Sequence, residues 1–193
     1  MISVNLANKL TMFRVIIVPF FVVCMSVGAI PYGYLWALVL FALASITDLF
    51  DGKVARKYNM VTDFGKFLDP LADKILVAAA LVCFVERGWT SAWVVFVILA
   101  REFLVSGIRL VAASSEKKVV IPANIWGKLK TAVTMVAIVV MLIFAVLVEN
   151  FGLLKEFPVQ LIRDILMYLS ALLTVISGIV YCYDSREFID PSK

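Results

Sequence analysis

The chain has 193 residues, is 63% hydrophobic and carries a net charge of +4, with a mean hydropathy of +1.02. Soluble domains hold about 45–50% apolar residues, and a chain of this length cannot hide the surplus, so lipid is the expected solvent. The small basic excess suits membrane edges rather than nucleic acid, and the absence of histidine excludes His bases, Ser-His-Asp triads and His-ligated zinc.

Residues 2–13 place Ile2, Leu6, Leu10 and Phe13 on one helical stripe, which predicts a short N-terminal interfacial helix. The polar, asparagine-containing start and the lack of a small-residue cleavage site argue against a removable signal peptide. Six apolar segments follow, at about 14–30, 33–52, 68–86, 91–111, 128–148 and 160–182. Each is close to the ~20 residues that cross ~30 Å of hydrocarbon as a helix. The expected fold is all-α: a polytopic membrane protein with six transmembrane helices. Cys24, Cys83 and Cys182 stand alone in apolar runs and read as small buried hydrophobes. No linker, low-complexity tract or repeat divides the chain, so residues 1–193 are expected to form a single membrane domain.

Basic residues alternate between connections. Lys9 and Arg14, then Lys53, Arg56, Lys57 and Lys66, then Lys117, Lys118, Lys128 and Lys130, then Arg186 and Lys193 mark one side. The other side holds only Arg87, Lys155 and Arg163, with Trp89 and Trp93 suited to an aromatic belt. Both termini and the 47–74 region are therefore expected to face the cytoplasm. From Gly33 to Asp48 is about 22 Å of helix, which places Asp48 several ångströms inside that boundary.

The stretch from Thr47 to Lys74 carries the chemistry. Asp48 and Asp51 are three apart, and Asp69 and Asp73 four apart, so each pair would share a helical face. Clustered, partly desolvated carboxylates need cations, and hard divalent metals with oxygen ligands are the simplest answer. Intramembrane acids also line proton or cation paths. Gly52 and Ala55 continue the first pair's face and leave room for a ligand or helix to approach. Arg56 can grip phosphate oxygens, so the set resembles equipment for a diphosphate. Gly65 shares the second pair's face only if the helix runs through Pro70; a kink or a helix start at Asp69 is the alternative.

The sequence Asp48-x-x-Asp51-Gly52-x-x-Ala55-Arg56, then Gly65-x-x-x-Asp69-x-x-x-Asp73, resembles the complete signature of the CDP-alcohol phosphotransferases. The resemblance implies six transmembrane helices, a homodimer, and transfer of a phosphatidyl group from CDP-diacylglycerol to an alcohol with release of CMP. It also implies that Asp48, Asp51, Asp69 and Asp73 hold two divalent cations, Mg2+ or Mn2+, with Asp73 as general base. Asp51, Gly52, Ala55, Arg56 and Gly65 are then the CDP-binding positions. The implied location is a bacterial-type cell membrane, with membrane lipids around the protein.

The acceptor is read from the fourth and fifth segments. Arg101 and Arg109 lie eight apart, about 12 Å along one helical face. Arg109 falls near the expected cytoplasmic end, whereas Arg101, beside Glu102, falls near mid-membrane, where an ion needs a partner. Lys130 lies deeper than Lys128 and is the better ligand candidate. A pocket holding Arg109 and Lys130 would favour a phosphorylated acceptor, and Arg101 either joins that site or forms a structural polar network with Glu102. The RE pair at Arg101–Glu102, GKLKT from Gly127 to Thr131, DPLADK from Asp69 to Lys74 and Asn8-x-x-Thr11-x-x-Arg14 are similar to the branch that uses sn-glycerol 3-phosphate. Inositol phosphate or phosphatidylglycerol is the alternative acceptor, and a cation transporter is the alternative from another class.

Overall fold

The computed structural model describes residues 6–58, 63–114, 125–154 and 157–185, with backbone alone at 6–11, 48–58, 63–71, 73 and 110–114. Six α-helices account for most of these residues: α1 (Leu6–Ser26), α2 (Gly33–Tyr58), α3 (Asp63–Glu86), α4 (Ala92–Ser114), α5 (Ile125–Ala145) and α6 (Val159–Asp184). A π-helical turn, Val146–Asn150, prolongs α5. No strand occurs among the described residues.

Local sequence explains where the helices begin and end. Leu6–Ser26 is one continuous helix, so the expected interfacial segment is not a separate element from Leu6 onward. Its residues form the first turns of α1, and Ile2 lies outside the described residues. The α1–α2 turn contains Gly28 and Pro31 and closes with Tyr32 in the left-handed region, at φ 54°. α2 continues past the expected end at 52 to Tyr58. α3 begins at Asp63 and runs through Pro70, so Asp69 is not a helix start. Gly88, at φ 69°, turns the chain between α3 and α4, and Gly152 and Leu154, at φ 64° and 58°, turn it after the π segment.

Two compact units divide the chain: residues 1–86 with 138–157, and residues 87–137 with 158–193. In the first, α1 packs against α2 and α3, and α2 also meets the π-helical turn. Phe21, Met25, Ala37, Phe41, Ala44, Ala80, Leu81 and Phe84 are fully buried. The Phe21 and Phe41 rings are tilted at 50°, with centroids 6.0 Å apart. A Cβ at Gly33 would stand 2.7 Å from the Cys24 carbonyl oxygen, so the α1–α2 approach depends on that glycine. Ser26 Oγ donates to Glu86 at 2.9 Å, tying the end of α1 to the end of α3.

The second unit packs α4 on α6, with the first turns of α5 joined to both through polar contacts. α6 is inside out by the standard of a soluble helix. Arg163, Ser170, Thr174, Ser177 and Tyr181 are buried, while Leu161, Ile165, Leu169, Leu172, Val175 and Ile179 are exposed. Polar groups held within and apolar groups presented outward suit hydrocarbon as the surrounding medium. Among the described residues two helices are long and apolar enough to cross a membrane, Ile125–Asn150 and Val159–Asp184. At the α3–α4 connection, the Arg163 guanidinium lies 4.2 Å from the Trp89 ring centroid, and Gln160 Nε2 donates to the Trp89 carbonyl at 3.2 Å.

Candidate active site

All eight signature positions fall on about three turns at the C-terminal end of α2 and about three at the N-terminal end of α3. Asp48 and Asp51 occupy one turn of α2, followed by Gly52, Ala55 and Arg56. Gly65, Asp69 and Asp73 take successive i, i+4 positions on α3. Because the helix is continuous through Pro70, the condition for Gly65 to share the register of the aspartates is met. The side chains of these eight residues lie outside the described residues.

The second unit displays the cationic residues in full. Glu102 Oε1 accepts from Arg101 Nη1 at 3.2 Å and also from Lys130 Nζ. The other end of the Arg101 guanidinium, Nη2, donates to Ser177 Oγ at 2.5 Å. Lys130 is 3% exposed, so its ammonium is held in a largely dehydrated place by a carboxylate two helices of the unit share. The stem of Arg101 crosses α6 at Gly178, where a Cβ would come within 3.3 Å of Arg101 Cγ. Gly127 leaves similar space on α5, with Arg101 Nη2 3.6 Å and Ser177 Oγ 3.8 Å from a Cβ built there.

A belt of hydroxyls extends this cluster. Thr134 and Ser170 share a hydrogen bond at 2.5 Å between α5 and α6. Thr134 also donates to the Lys130 carbonyl at 2.9 Å, and Thr174 to the Ser170 carbonyl at 2.7 Å. Each satisfies its own hydroxyl against the preceding helical turn, which is how such groups are accommodated away from water. Ser106 does the same on α4, donating to the Glu102 carbonyl at 2.6 Å.

The three predicted acceptor ligands do not form one cluster. Arg101 and Lys130 meet through Glu102, whereas Arg109 pairs further along α4 with Tyr181. Its Nε donates to the Tyr181 hydroxyl at 3.3 Å, and its guanidinium carbon lies 5.4 Å from that ring's centroid. Arg109 remains exposed, as does Lys128. Ser177 and Tyr181 were not expected as neighbours of these cations. The available signal was the run Ser170, Thr174, Ser177, Tyr181, which recurs every three or four residues on an otherwise apolar helix.

Residues 4–176 match the family described as CDP-alcohol phosphatidyltransferase. The chain belongs to that family. Several curated relatives share nearly its full length. A CDP-diacylglycerol–glycerol-3-phosphate 3-phosphatidyltransferase of Bacillus subtilis is 42% identical, over 98% of this chain and 99% of its own. A protein of the same name from Rickettsia bellii is 38% identical, over 97% and 98% respectively. A probable phosphatidylglycerophosphate synthase of Mycobacterium tuberculosis is 40% identical, over 92% of this chain and 79% of its own.

Proposed function

We propose that this protein transfers the phosphatidyl group of CDP-diacylglycerol to sn-glycerol 3-phosphate, giving phosphatidylglycerophosphate and CMP. The observation that carries this reading is the intact family motif on α2 and α3, in a chain about 40% identical along its length to enzymes named for that reaction. The cationic cluster on α4 and α5 supports a phosphorylated rather than a neutral acceptor.

Asp48, Asp51, Asp69 and Asp73 supply only hard oxygen donors, a set that fits divalent cations. The family's enzymes generally use such cations, and here two are assigned to the quartet, as Mg2+ or Mn2+. When bound, they would offset the charge that develops on the departing CMP phosphate. Asp73 takes the proton from the glycerol 1-hydroxyl as its oxygen bonds to the β-phosphorus of the donor. The bond from that phosphorus to the bridging oxygen breaks, and the electron pair leaves with CMP. Asp51, Gly52, Ala55, Arg56 and Gly65 hold the cytidine diphosphate, with Arg56 on its phosphate oxygens and the small residues admitting the nucleotide. The acceptor phosphate is assigned to the Arg101–Lys130 cluster, with Arg109, about two turns further along α4, as a second cation for the approaching acceptor.

Residues 1–193 act as one membrane domain with six transmembrane helices, and the enzyme works as a homodimer. Both termini and the aspartates face the cytoplasm, where the donor's diacylglycerol tails remain in lipid and its nucleotide reaches water. Purified protein supplied with CDP-diacylglycerol and a panel of acceptors tests the reaction. CMP release is expected with glycerol 3-phosphate, abolished by chelator and restored by Mg2+ or Mn2+. Release only with inositol phosphate or phosphatidylglycerol would change the acceptor. No release with any acceptor, together with cation flux in liposomes, would overturn the transferase reading.

A further inference from the structure

We propose that Glu102 is a specificity-determining residue of the acceptor pocket, acting as a built-in anion that an incoming phosphate monoester must displace from Lys130 and Arg101. This rests on the assignment of those two cations to the acceptor phosphate. One carboxylate oxygen of Glu102 engages both of them. Arg101 is braced at its far end by Ser177, and Lys130 is nearly removed from solvent. The Glu102 carboxylate itself keeps a side-chain exposure of 20%, against 4% for Lys130, so it is the more accessible partner of the pair.

A buried ammonium without a counter-ion is costly. Glu102 supplies a counter-ion to Lys130. A phosphate dianion offers the same contacts with more charge and more acceptor atoms, so it can replace the carboxylate on Lys130. A neutral alcohol offers neither and leaves the Lys130–Glu102 pair closed. The pair thus converts a general affinity for anions into a threshold that a phosphate monoester crosses. The carboxylate is a positioning residue here, since it acts through the cations rather than on the reacting atoms.

Two measurements on Glu102→Gln in detergent-purified full-length protein test the proposal. Inorganic phosphate should raise the unfolding temperature of the variant more than that of the parent. The apparent KM for glycerol 3-phosphate should fall, by about tenfold, as expected when one competing charge is removed from a close pair. The KM for CDP-diacylglycerol should not change. Equal stabilisation of variant and parent by phosphate, or parallel rises in both KM values, would overturn the role of Glu102. Lys130→Met separates the proposal from its premise. If that change leaves the KM for glycerol 3-phosphate unaltered, the acceptor assignment fails and the proposal falls with it. If it raises that KM while Glu102→Gln gains nothing from phosphate, only the proposal fails. Should Glu102→Gln not accumulate folded, Glu102→Asp carries the same test. Its carboxylate is withdrawn by one methylene, and greater stabilisation by phosphate is again expected; equal stabilisation would overturn the idea.

Discussion

Asp73 is the residue on which the proposed chemistry turns most sharply. Glycerol's hydroxyl is a poor nucleophile at neutral pH, and a positioned base contributes on the order of 10²–10⁴ in rate. Asp73→Asn keeps the size and most of the hydrogen-bonding capacity of the side chain while removing its ability to take a proton. The variant should lose at least about 100-fold in CMP release and retain CDP-diacylglycerol binding, measured by displacement of a labelled donor. Near-normal turnover would remove Asp73 from the role of base. The residue was legible in the sequence because its partners lie at fixed helical offsets, three, four and eight positions away at most within each half of the motif. The Arg101–Glu102–Lys130–Ser177 cluster was legible only in part. Arg101 and Glu102 are adjacent, but the bond to Lys130 spans 28 residues and that to Ser177 spans 76. Such pairings depend on how helices pack, which no local spacing encodes.

At the scale of elements, hydrophobic run length located all six helices but misplaced their ends wherever a helix outlasts its apolar stretch. α2 and α3 extend beyond the expected 33–52 and 68–86 to Tyr58 and back to Asp63. Those extra turns carry Ala55, Arg56 and Gly65, so the ends that hydropathy missed are the ends that hold the motif. Helix starts are set by different physics, and Gly33 shows it. An added Cβ would meet the Cys24 carbonyl at 2.7 Å, a backbone atom that cannot rotate away. Gly33→Ala should therefore destabilise the fold by about 1–3 kcal/mol, the usual cost of forced overpacking, despite alanine's better helix propensity. Gly28→Ala is the control, since nothing lies within 4 Å of a Cβ at that position. Thermal unfolding in detergent should place Gly33→Ala well below the parent and Gly28→Ala close to it. Similar midpoints for the two variants would show that the α1–α2 approach does not require glycine.

For the whole molecule, the proposed chemistry depends on which side each connection faces. Apolarity alone marks only α5 with its π-helical turn, and α6, as membrane-crossing among the described residues. α3 and α4 carry Asp69, Asp73 and Lys74, and Arg101, Glu102 and Arg109, so the proposed chemistry itself dilutes their hydropathy. A charge in a spanning helix is tolerable when it is paired within the protein, and the Glu102 contacts to Arg101 and Lys130 supply that pairing on α4. On the proposed six-crossing topology, Lys66 and both termini would share the cytoplasmic side, and Trp93, 76% exposed near the start of α4, would lie at the opposite surface. Single cysteines test this in a background where Cys24, Cys83 and Cys182 are replaced by Ala. Lys66→Cys should react with a membrane-impermeant maleimide in inside-out vesicles but not in intact cells. Trp93→Cys should react in intact cells once the outer layers are permeabilised. Labelling of both positions from one side would require an even number of crossings between them rather than the single crossing by α3. The basic clusters would then be marking headgroup contacts or ligand sites instead of orientation, and the cytoplasmic placement of the aspartates would have to be given up.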